Sequence, residues 1–238
     1  EHVDICELLG LRKGIVAITK TDLADEEMQE LVMEDIVDFL KGRTLEGAPI
    51  VSVSAATGEN IDMLRETIRD VATSVEERSR EGIFRLPVDR VFTLKGLGTS
   101  VTGTCISGAI TVGEEVEIYP LMKRARVRSI QVYHEDVREA IAGQRTALNL
   151  QGLEREHIAR GAVVARPGTL MEVKRVDATL QYLRLPLNPI KTDTTLRFHV
   201  ATTQQEARCI LLTKDVIEPG EELLVQFVFP SPIVALPG

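Results

Sequence analysis

The chain has 238 residues, of which 44% are hydrophobic, and its formal net charge is −8. This length is enough for more than one hydrophobic core. Residues 1–81 contain 9 Lys and Arg against 19 Asp and Glu, whereas residues 82–238 contain 19 against 17. The composition therefore excludes a strongly basic protein, but the second part of the chain is free to face a polyanion.

The chain has three cysteines, Cys6, Cys105 and Cys209, which lie far apart in the sequence. An odd number at this spacing fits neither a disulfide framework nor a set of metal ligands. The sequence has no apolar run of membrane-spanning length and no secretion signal. We therefore expect reduced thiols, no membrane span and a cytoplasmic location.

The first part of the chain predicts helices that alternate with short β-branched strands. Asp25 is expected to cap a helix that Gly42 ends. This alternation predicts a parallel sheet with helices packed on it. The predicted elements are helices over 25–41 and 61–80, one strand after Gly14, one strand over 49–53, and a helix at the start of the chain that includes Val3, Cys6, Leu8 and Leu9. The residues expected to face inward are Met28, Leu31, Val32, Ile36, Phe39 and Leu40 on the second helix and Ile61, Leu64, Ile68, Val71 and Val75 on the third.

Polar motifs follow both strands of this part. Thr19-Lys20-Thr21-Asp22 follows the first strand, and Ser54-Ala55-Ala56 follows the second. The carboxyl ends of parallel strands meet at one edge of the sheet, where α/β proteins hold ligands. Asp22 can accept hydrogen bonds from the ring N–H and the exocyclic amine of guanine, while the Ala55 amide donates to its carbonyl oxygen. Adenine has the opposite pattern, so the motifs favour guanine recognition.

Two further roles are expected at this edge: Lys20 lays its aliphatic stem along the base, and Ser54 braces the loop that carries Asp22. The alternative is a chance occurrence of a short pattern, against which the position of both motifs argues. These residues resemble the fourth and fifth guanine motifs of translational GTPases. Thr19 stands where that family usually has Asn, and it resembles the selenocysteine-specific branch.

From Phe84 to Pro230 the pattern changes to short apolar runs broken by turn residues, which is typical of antiparallel β-barrels. Pro167-Gly168 interrupts the region and divides it into two barrels. With the resemblance, the expected fold is multi-domain α/β plus all-β: the later half of a P-loop GTPase α/β domain followed by two antiparallel β-barrels. The predicted domains are 1–81, the C-terminal part of the GTP-binding domain; 82–169, translation-factor β-barrel domain II; and 170–238, a truncated β-barrel domain III.

A glycine-rich segment, Gly96 to Gly103, resembles a dinucleotide fingerprint but lacks the third glycine and a following helix. It predicts a tight hairpin with glycines at positive φ. The longer stretch Val88–Cys105, continued by Gly113–Ile118, resembles the opening of the second domain of translational GTPases.

Asp89, Arg90 and Arg145 resemble the selenocysteine-specific elongation factors more than elongation factor Tu. The resemblance implies that these residues line the pocket for the aminoacyl group of the tRNA. A selenol is largely ionised at neutral pH, unlike a serine hydroxyl, so guanidinium groups beside a carboxylate would favour it. The alternative is an ordinary Asp–Arg ion pair at a barrel rim.

Arg124, Arg126 and Arg128 alternate along a predicted strand and therefore share one face. Such a face can contact tRNA phosphates in a salt-dependent way. The alternative is a charged edge strand, which protects a sheet from aggregation.

The sequence has no Gly-x-x-x-x-Gly-Lys-Ser/Thr loop and no Asp-x-Pro-Gly segment. The resemblance implies that both, together with the Mg²⁺ ligands, precede the start of this chain and that a winged-helix region follows its end. We therefore expect a fragment that binds guanine weakly and does not hydrolyse GTP alone, and we leave open whether the chain is an enzyme.

The resemblance covers nearly the whole chain and implies GTP or GDP as cofactor. The intact protein would use GTP to deliver selenocysteyl-tRNA to the ribosome, and its winged-helix region would bind an mRNA hairpin. One alternative is another translational GTPase, such as elongation factor Tu or an initiation factor subunit, against which Thr19, Arg90 and Arg145 argue. Another is a non-catalytic RNA- or protein-binding module.

Overall fold

The structure is a computed structural model that describes residues 2–75, 80–94, 98–153, 158–183 and 188–235. The chain divides into two compact units, Glu1–Glu77 and Arg78–Gly238. The domain boundaries expected at 81/82 and 169/170 stay predictions.

The first unit has the predicted order of helices and strands. Its two strands pair in parallel, and their register aligns Val16 with Ile50 and Thr19 with Val53. Both strands therefore end at the same edge. The elements are α1 His2–Leu8, β1 Val16–Thr19, a short 3₁₀ turn Thr21–Leu23, α2 Glu26–Leu40, β2 Ile50–Val53 and α3 Ile61–Thr73.

Helix α2 begins as predicted, because the Asp25 side chain accepts a hydrogen bond from the Met28 amide at 2.9 Å. The inward face that the sequence predicts is only partly covered. Leu40 is buried and Val32 and Ile36 are half-buried, but the other three residues of that face are exposed: Met28, Leu31 and Phe39. The prediction was wrong for these three side chains, because the described elements cover only part of the helix.

Helix α3 ends at Thr73, earlier than the predicted Arg80. Thr73 and Ser74 donate side-chain hydrogen bonds to the carbonyls of Asp70 and Val71, and such bonds compete with helix continuation. Ile68 and Val75, both expected to face inward, are exposed, so the prediction was wrong for these two side chains. The predicted last turn, 76–79, lies outside the described residues.

The second unit begins with a closed antiparallel β-barrel. Six strands follow the order β10-β4-β3-β11-β6-β7, and β7 pairs back with β10 to close the circle. The strands of this part are β3 Arg85–Leu94, β4 Gly98–Thr104, β5 Ala109–Thr111, β6 Glu115–Tyr119, β7 Lys123–Val132, β8 Glu135–Val137, β9 Glu139–Ile141, β10 Arg145–Gln151 and β11 Val163–Ala165. Gly98 has the positive φ expected for the glycine-rich hairpin, whereas Gly96 lies outside the described residues.

Alternating apolar residues fill this barrel. Val116, Ile118, Leu148 and Leu150 are fully buried in its core, which a large cluster of aliphatic side chains continues. Gly103 lies where β4 approaches β3 so closely that a Cβ atom would come within 2.0 Å of the Pro87 carbonyl oxygen. The predicted two-residue periodicity of strands therefore places the core correctly.

The second barrel is also antiparallel. Its described strands form a four-stranded sheet in the order β12-β17-β15-β14 and a two-stranded ladder, β13-β16. Phe198, Phe227 and Phe229 pack edge to face in its core. These strands are β12 Val173–Gln181, β13 Ile190–Lys191, β14 Thr194–Val200, β15 Thr203–Leu211, β16 Val216–Ile217 and β17 Glu222–Ile233.

The two barrels join through the outward side of β6 and the segment after β11. Tyr119 packs there with Val163, Ala165 and Leu170 in a small apolar cluster. Glu117, 5% exposed, accepts hydrogen bonds on Oε2 from the Tyr119 hydroxyl and from the Gly168 amide. A buried carboxylate thus ties the first barrel to the segment that leads into the second.

None of the helices in the described residues is long and apolar enough to span a membrane.

Candidate functional site

The edge where β1 and β2 both end carries the predicted guanine motifs. The alignment of Thr19 with Val53 makes the two motifs neighbours. Together they line an open cleft of about 440 Å³, whose lining residues are Thr19, Lys20, Asp22, Leu23, Val53, Ala55 and Ala56. The structure therefore brings the six predicted residues to one place: five line the cleft, and Ser54 lies beneath it.

Ser54 is fully buried, and its hydroxyl donates to Oδ1 of Asp22, as expected of a brace. The same hydroxyl accepts from the Thr57 amide at 3.2 Å. The Ser54 amide in turn donates to the Glu59 carbonyl at 3.2 Å. Because Ser54 is anchored on both sides, it positions one oxygen of the exposed Asp22 carboxylate.

Lys20 has the left-handed backbone conformation, with φ 62° and ψ 39°. This turns the chain sharply at the end of β1, so the 3₁₀ turn carries Asp22 across the edge of the sheet. Asp22, Ala55 and Ala56 are exposed, which leaves the Asp22 carboxylate open to a ligand. Leu23, which the sequence analysis did not single out, is 78% exposed and lines the same cleft.

A second candidate site lies on the outer face of the first barrel. Both nitrogens at the end of Arg145 bond to the Asp89 carboxylate, with Nη2 to Oδ1 at 2.9 Å. Thr102 also donates to Oδ1 at 3.0 Å. The Arg145 hydrogen bonds lower the pKa of Asp89, while partial burial opposes the shift. Asp89 therefore holds the guanidinium of Arg145 in a fixed orientation.

Strand β3 has a bulge that brings Arg90 to the same side. The register shifts between Val88 and Arg90, which pair with Gly103 and Thr102 respectively. A bulge lets two consecutive side chains leave the same face of a strand. Asp89 pairs with Arg145, and Arg90 and Arg145 line one cavity of about 460 Å³. The sequence placed these residues together only through the resemblance.

Tyr133 and His134, which no sequence motif indicated, also line this cavity. They form the two-residue turn between β7 and β8, and both have positive φ, 53° and 72°. Turns of this kind normally use Asn or Gly, so these larger residues are costly there. A two-residue turn without glycine could have indicated these residues, but the length of the turn is known only once the pairing of β7 with β8 is known.

The three predicted arginines of β7 lie on its exposed face, as the alternation with buried Ala125 and Val127 requires. Arg124 is already engaged, because its Nε lies 3.5 Å from Oε1 of Glu117. Arg126 and Arg128 are exposed. Strand β7 pairs with β6, β8 and β10 and is therefore not an edge strand, so the edge-protection alternative was wrong.

No cluster of three metal-ligating side chains occurs among the described residues, and we assign no Mg²⁺ ligand to them.

The comparisons with known proteins agree with this architecture. Residues 98–165 match the family Elongation factor Tu domain 2. A selenocysteine-specific elongation factor from Desulfomicrobium baculatum is 45% identical over 238 residues, which are all of this chain and 38% of that protein. One from Methanocaldococcus jannaschii is 34% identical over 177 residues, 73% of this chain and 37% of that protein. The chain thus spans well under half the length of these curated relatives.

Solved structures give the same result. A bacterial selenocysteine-specific elongation factor matches 99% of this chain with a TM-score of 0.83 and 26% identity, and this covers 38% of that chain. The elongation factor SelB from Methanococcus maripaludis, in complex with the GTP analogue GppNHp, matches 98% with a TM-score of 0.83 and 28% identity, covering 55% of that chain.

The fold and these matches define an architecture like that of elongation factor Tu-like proteins. The α/β unit and two β-barrels expected from the sequence are confirmed. The chain is similar over part of their length to selenocysteine-specific elongation factors, and the resemblance stated from its motifs is confirmed.

Proposed function

We propose that this chain supplies the guanine-recognition edge and the tRNA-binding barrels of a translation factor that delivers selenocysteyl-tRNA to the ribosome. GTP and GDP are the proposed nucleotides. The observation that carries the guanine assignment is the parallel register of β1 and β2, which places the braced Asp22 carboxylate beside Ala55 and Ala56 in one cleft.

The chemistry of guanine recognition follows from the donors and acceptors at this edge. The Asp22 carboxylate accepts from the ring N–H and the exocyclic amine of guanine, and the amide of Ala55 donates to its carbonyl oxygen. The Lys20 stem covers one face of the base, Thr19 lines the cleft beside it, and Ser54 holds Asp22. Adenine would leave the carboxylate without donors, so the site rejects it.

We assign no residue among those described to the binding of the GTP phosphates or of Mg²⁺. The sequence has no phosphate-binding loop, and the described residues have no metal cluster. We therefore derive no hydrolysis step from this chain. Bound GTP would supply the conformational signal of a translation factor, and the described residues would select its base.

The guanine assignment is tested by Asp22→Asn, with Asp35→Asn on the exposed side of α2 as a matched control. The amide can donate to the second carbonyl of xanthine, so the preference between GMP and XMP should move toward XMP by about tenfold or more. NMR titration of the chain with both nucleotides measures this preference. An unchanged ratio in Asp22→Asn would refute the guanine site.

The cavity beside Asp89, Arg90 and Arg145 is the proposed pocket for the selenocysteyl group. The Arg145 charge is paired with Asp89, whereas Arg90 also lines the cavity and brings a further positive charge to it. A selenolate would gain a charge-assisted hydrogen bond there, and a neutral serine hydroxyl would gain less. The ion pair with Asp89 holds the Arg145 guanidinium in the same place whether a selenocysteyl or a seryl group is bound.

The exposed arginines of β7 are the proposed contacts to tRNA phosphates. Because Arg124 faces Glu117, we expect Arg126 and Arg128 to contribute more than Arg124 to binding. Each lost phosphate contact reduces the slope of log affinity against log salt by about 1 or slightly less. Filter binding of tRNA by Arg126→Gln and Arg128→Gln over a salt series measures these slopes, and equal slopes for variants and wild type would contradict the proposal.

Delivery itself is tested in a protein of the relatives' full length. The segment would be placed in the Desulfomicrobium baculatum relative, and protection of the aminoacyl ester against hydrolysis would be measured with GTP. We expect protection of selenocysteyl-tRNA over seryl-tRNA, and Arg90→Gln should reduce that selectivity. Equal protection of both tRNAs by the unmutated segment would refute the selenocysteine assignment. We propose that an mRNA hairpin is bound by a region outside this chain and not by the residues described.

A further inference from the structure

Gln29 is a residue that neither the sequence motifs nor the cleft lining includes. It lies in the first turns of α2 and is half-buried. Its Nε2 donates to the Thr21 carbonyl at 3.1 Å and to the Ala24 carbonyl at 3.1 Å. These two carbonyls flank Asp22 and Leu23, so one side chain holds both ends of the turn that carries the candidate base-binding carboxylate.

The chemistry of these partners fixes the orientation of the amide. A carbonyl oxygen only accepts hydrogen bonds, so the NH₂ group of Gln29 must face both carbonyls, and its two protons are both used. No other uncharged side chain of this length offers two donors from one atom. A glutamate would direct carboxylate oxygens at two acceptors, and a methionine would offer no donor.

Besides Gln29, two side-chain contacts support this turn among the described residues: the Thr21 hydroxyl donates to Oε2 of Glu59 at 3.5 Å, and the Ser54 hydroxyl donates to Asp22. Its internal hydrogen bonds are Leu23 amide to Lys20 carbonyl at 3.0 Å and Ala24 amide to Thr21 carbonyl at 3.2 Å. Lys20 has a left-handed backbone conformation, which is strained for a residue other than glycine. Ser54 holds one carboxylate oxygen of Asp22 but not the backbone that carries it.

We propose that Gln29 is a positioning residue for base selection: by clamping the Thr21 and Ala24 carbonyls it aims the Asp22 carboxylate at the two N–H groups of guanine. This inference rests on the proposed guanine site and adds a residue to it. One carboxylate can accept from two adjacent donors only when it is oriented correctly toward both. Loss of the clamp should therefore weaken most the hydrogen bond to the exocyclic amine of guanine.

Inosine monophosphate (IMP) provides the test, because hypoxanthine lacks the exocyclic amine of guanine and is otherwise alike. NMR titration of the 238-residue chain with GMP and with IMP gives a ratio of affinities in which the shared phosphate cancels. For the wild type we expect GMP to bind about tenfold more tightly, the value of one hydrogen bond to a charged group. Gln29→Met and Gln29→Glu should bring the ratio down to about twofold.

The matched control is Glu30→Gln, an exposed change at the next position of α2, which should leave the ratio unchanged. A purely structural role for Gln29 would weaken GMP and IMP equally, so a preserved ratio in both Gln29 variants overturns the positioning role while the guanine site stands. A wild type that does not prefer GMP overturns the guanine site and the positioning role together. Far-ultraviolet circular dichroism checks that α2 is retained in each variant.

Discussion

Replacing Glu117 by Gln is expected to loosen the segment that joins the two barrels. The carboxylate is 5% exposed, and its Oε2 accepts from the Tyr119 hydroxyl at 2.5 Å and the Gly168 amide at 3.0 Å. Its Oε1 faces Arg124 at 3.5 Å. Gln can keep its oxygen toward Tyr119 and Gly168 only by directing its NH₂ group at the Arg124 guanidinium, where two donors oppose each other.

The magnitude follows from the bonds that lose their charge. Hydrogen bonds to an ionised acceptor contribute about 1.5–3 kcal/mol each, against about 1 kcal/mol for neutral pairs. With two such bonds weakened rather than lost, we expect the free energy of opening at Gly168 to fall by about 2 kcal/mol. This corresponds to roughly thirtyfold faster exchange of the Gly168 amide proton.

Amide hydrogen exchange at Gly168, followed by NMR, is the assay. It reports local opening, so it does not require the two compact units to unfold together. Glu115→Gln is the matched control, since Glu115 lies on the same face of β6 but is exposed. If Glu117→Gln exchanged at Gly168 no faster than Glu115→Gln, the reasoning about the buried carboxylate would be refuted.

The Glu117 carboxylate should also make the free energy of opening at Gly168 depend on pH. The hydrogen bond from Tyr119, then that from the Gly168 amide, and the charge of Arg124 lower the pKa of Glu117, although burial opposes them. A lowered pKa in the folded state means that the stabilisation is fully present above about pH 4.3 and is lost as the pH falls through the folded value. After correction for intrinsic rates, the difference between wild type and Glu117→Gln should be largest above about pH 4.3 and should shrink as the pH falls below that value.

Two further outcomes are expected. Gly103→Ala should lower the free energy of unfolding by about 3 kcal/mol or more in urea denaturation, because its Cβ would meet the Pro87 carbonyl at 2.0 Å. Gly113→Ala meets no atom and should cost only about 1–2 kcal/mol, for its positive φ; equal losses would contradict the close approach. Asp25→Ala should cost about 1 kcal/mol by losing the cap to Met28, whereas Asp25→Asn should cost a few tenths; hydrogen exchange at Met28 distinguishes them.

Local patterns in the sequence determined most of the elements and the resemblance to elongation factors. The cap at Asp25, the alternation along β7 and the glycine-rich hairpin each depend on neighbours a few residues apart, so composition and spacing were sufficient. The guanine motifs could be placed together because parallel strands end at one edge of a sheet, a rule that needs no coordinates.

Helix length and coverage were less predictable. The periodicity of α3 continues beyond Thr73, but side-chain hydrogen bonds of Thr73 and Ser74 accompany its end. The apolar stripe of α2 was read correctly as a stripe, yet Leu31 and Phe39 are exposed. Periodicity reports which side of a helix is apolar and not what covers it.

Only the tertiary structure decided the arrangements that join distant residues. The bulge at Arg90, the Asp89–Arg145 pair and the burial of Glu117 under Gly168 depend on strand register and on contacts across the fold. The Gln29 clamp is more local, since its partners Thr21 and Ala24 lie 8 and 5 residues away. A charged residue on a strand predicts exposure from sequence, because burial of a carboxylate is costly without partners. The Tyr119 hydroxyl, two residues along the same strand, and the Gly168 amide supply those partners, and Gly168 comes close to Glu117 only in the tertiary structure.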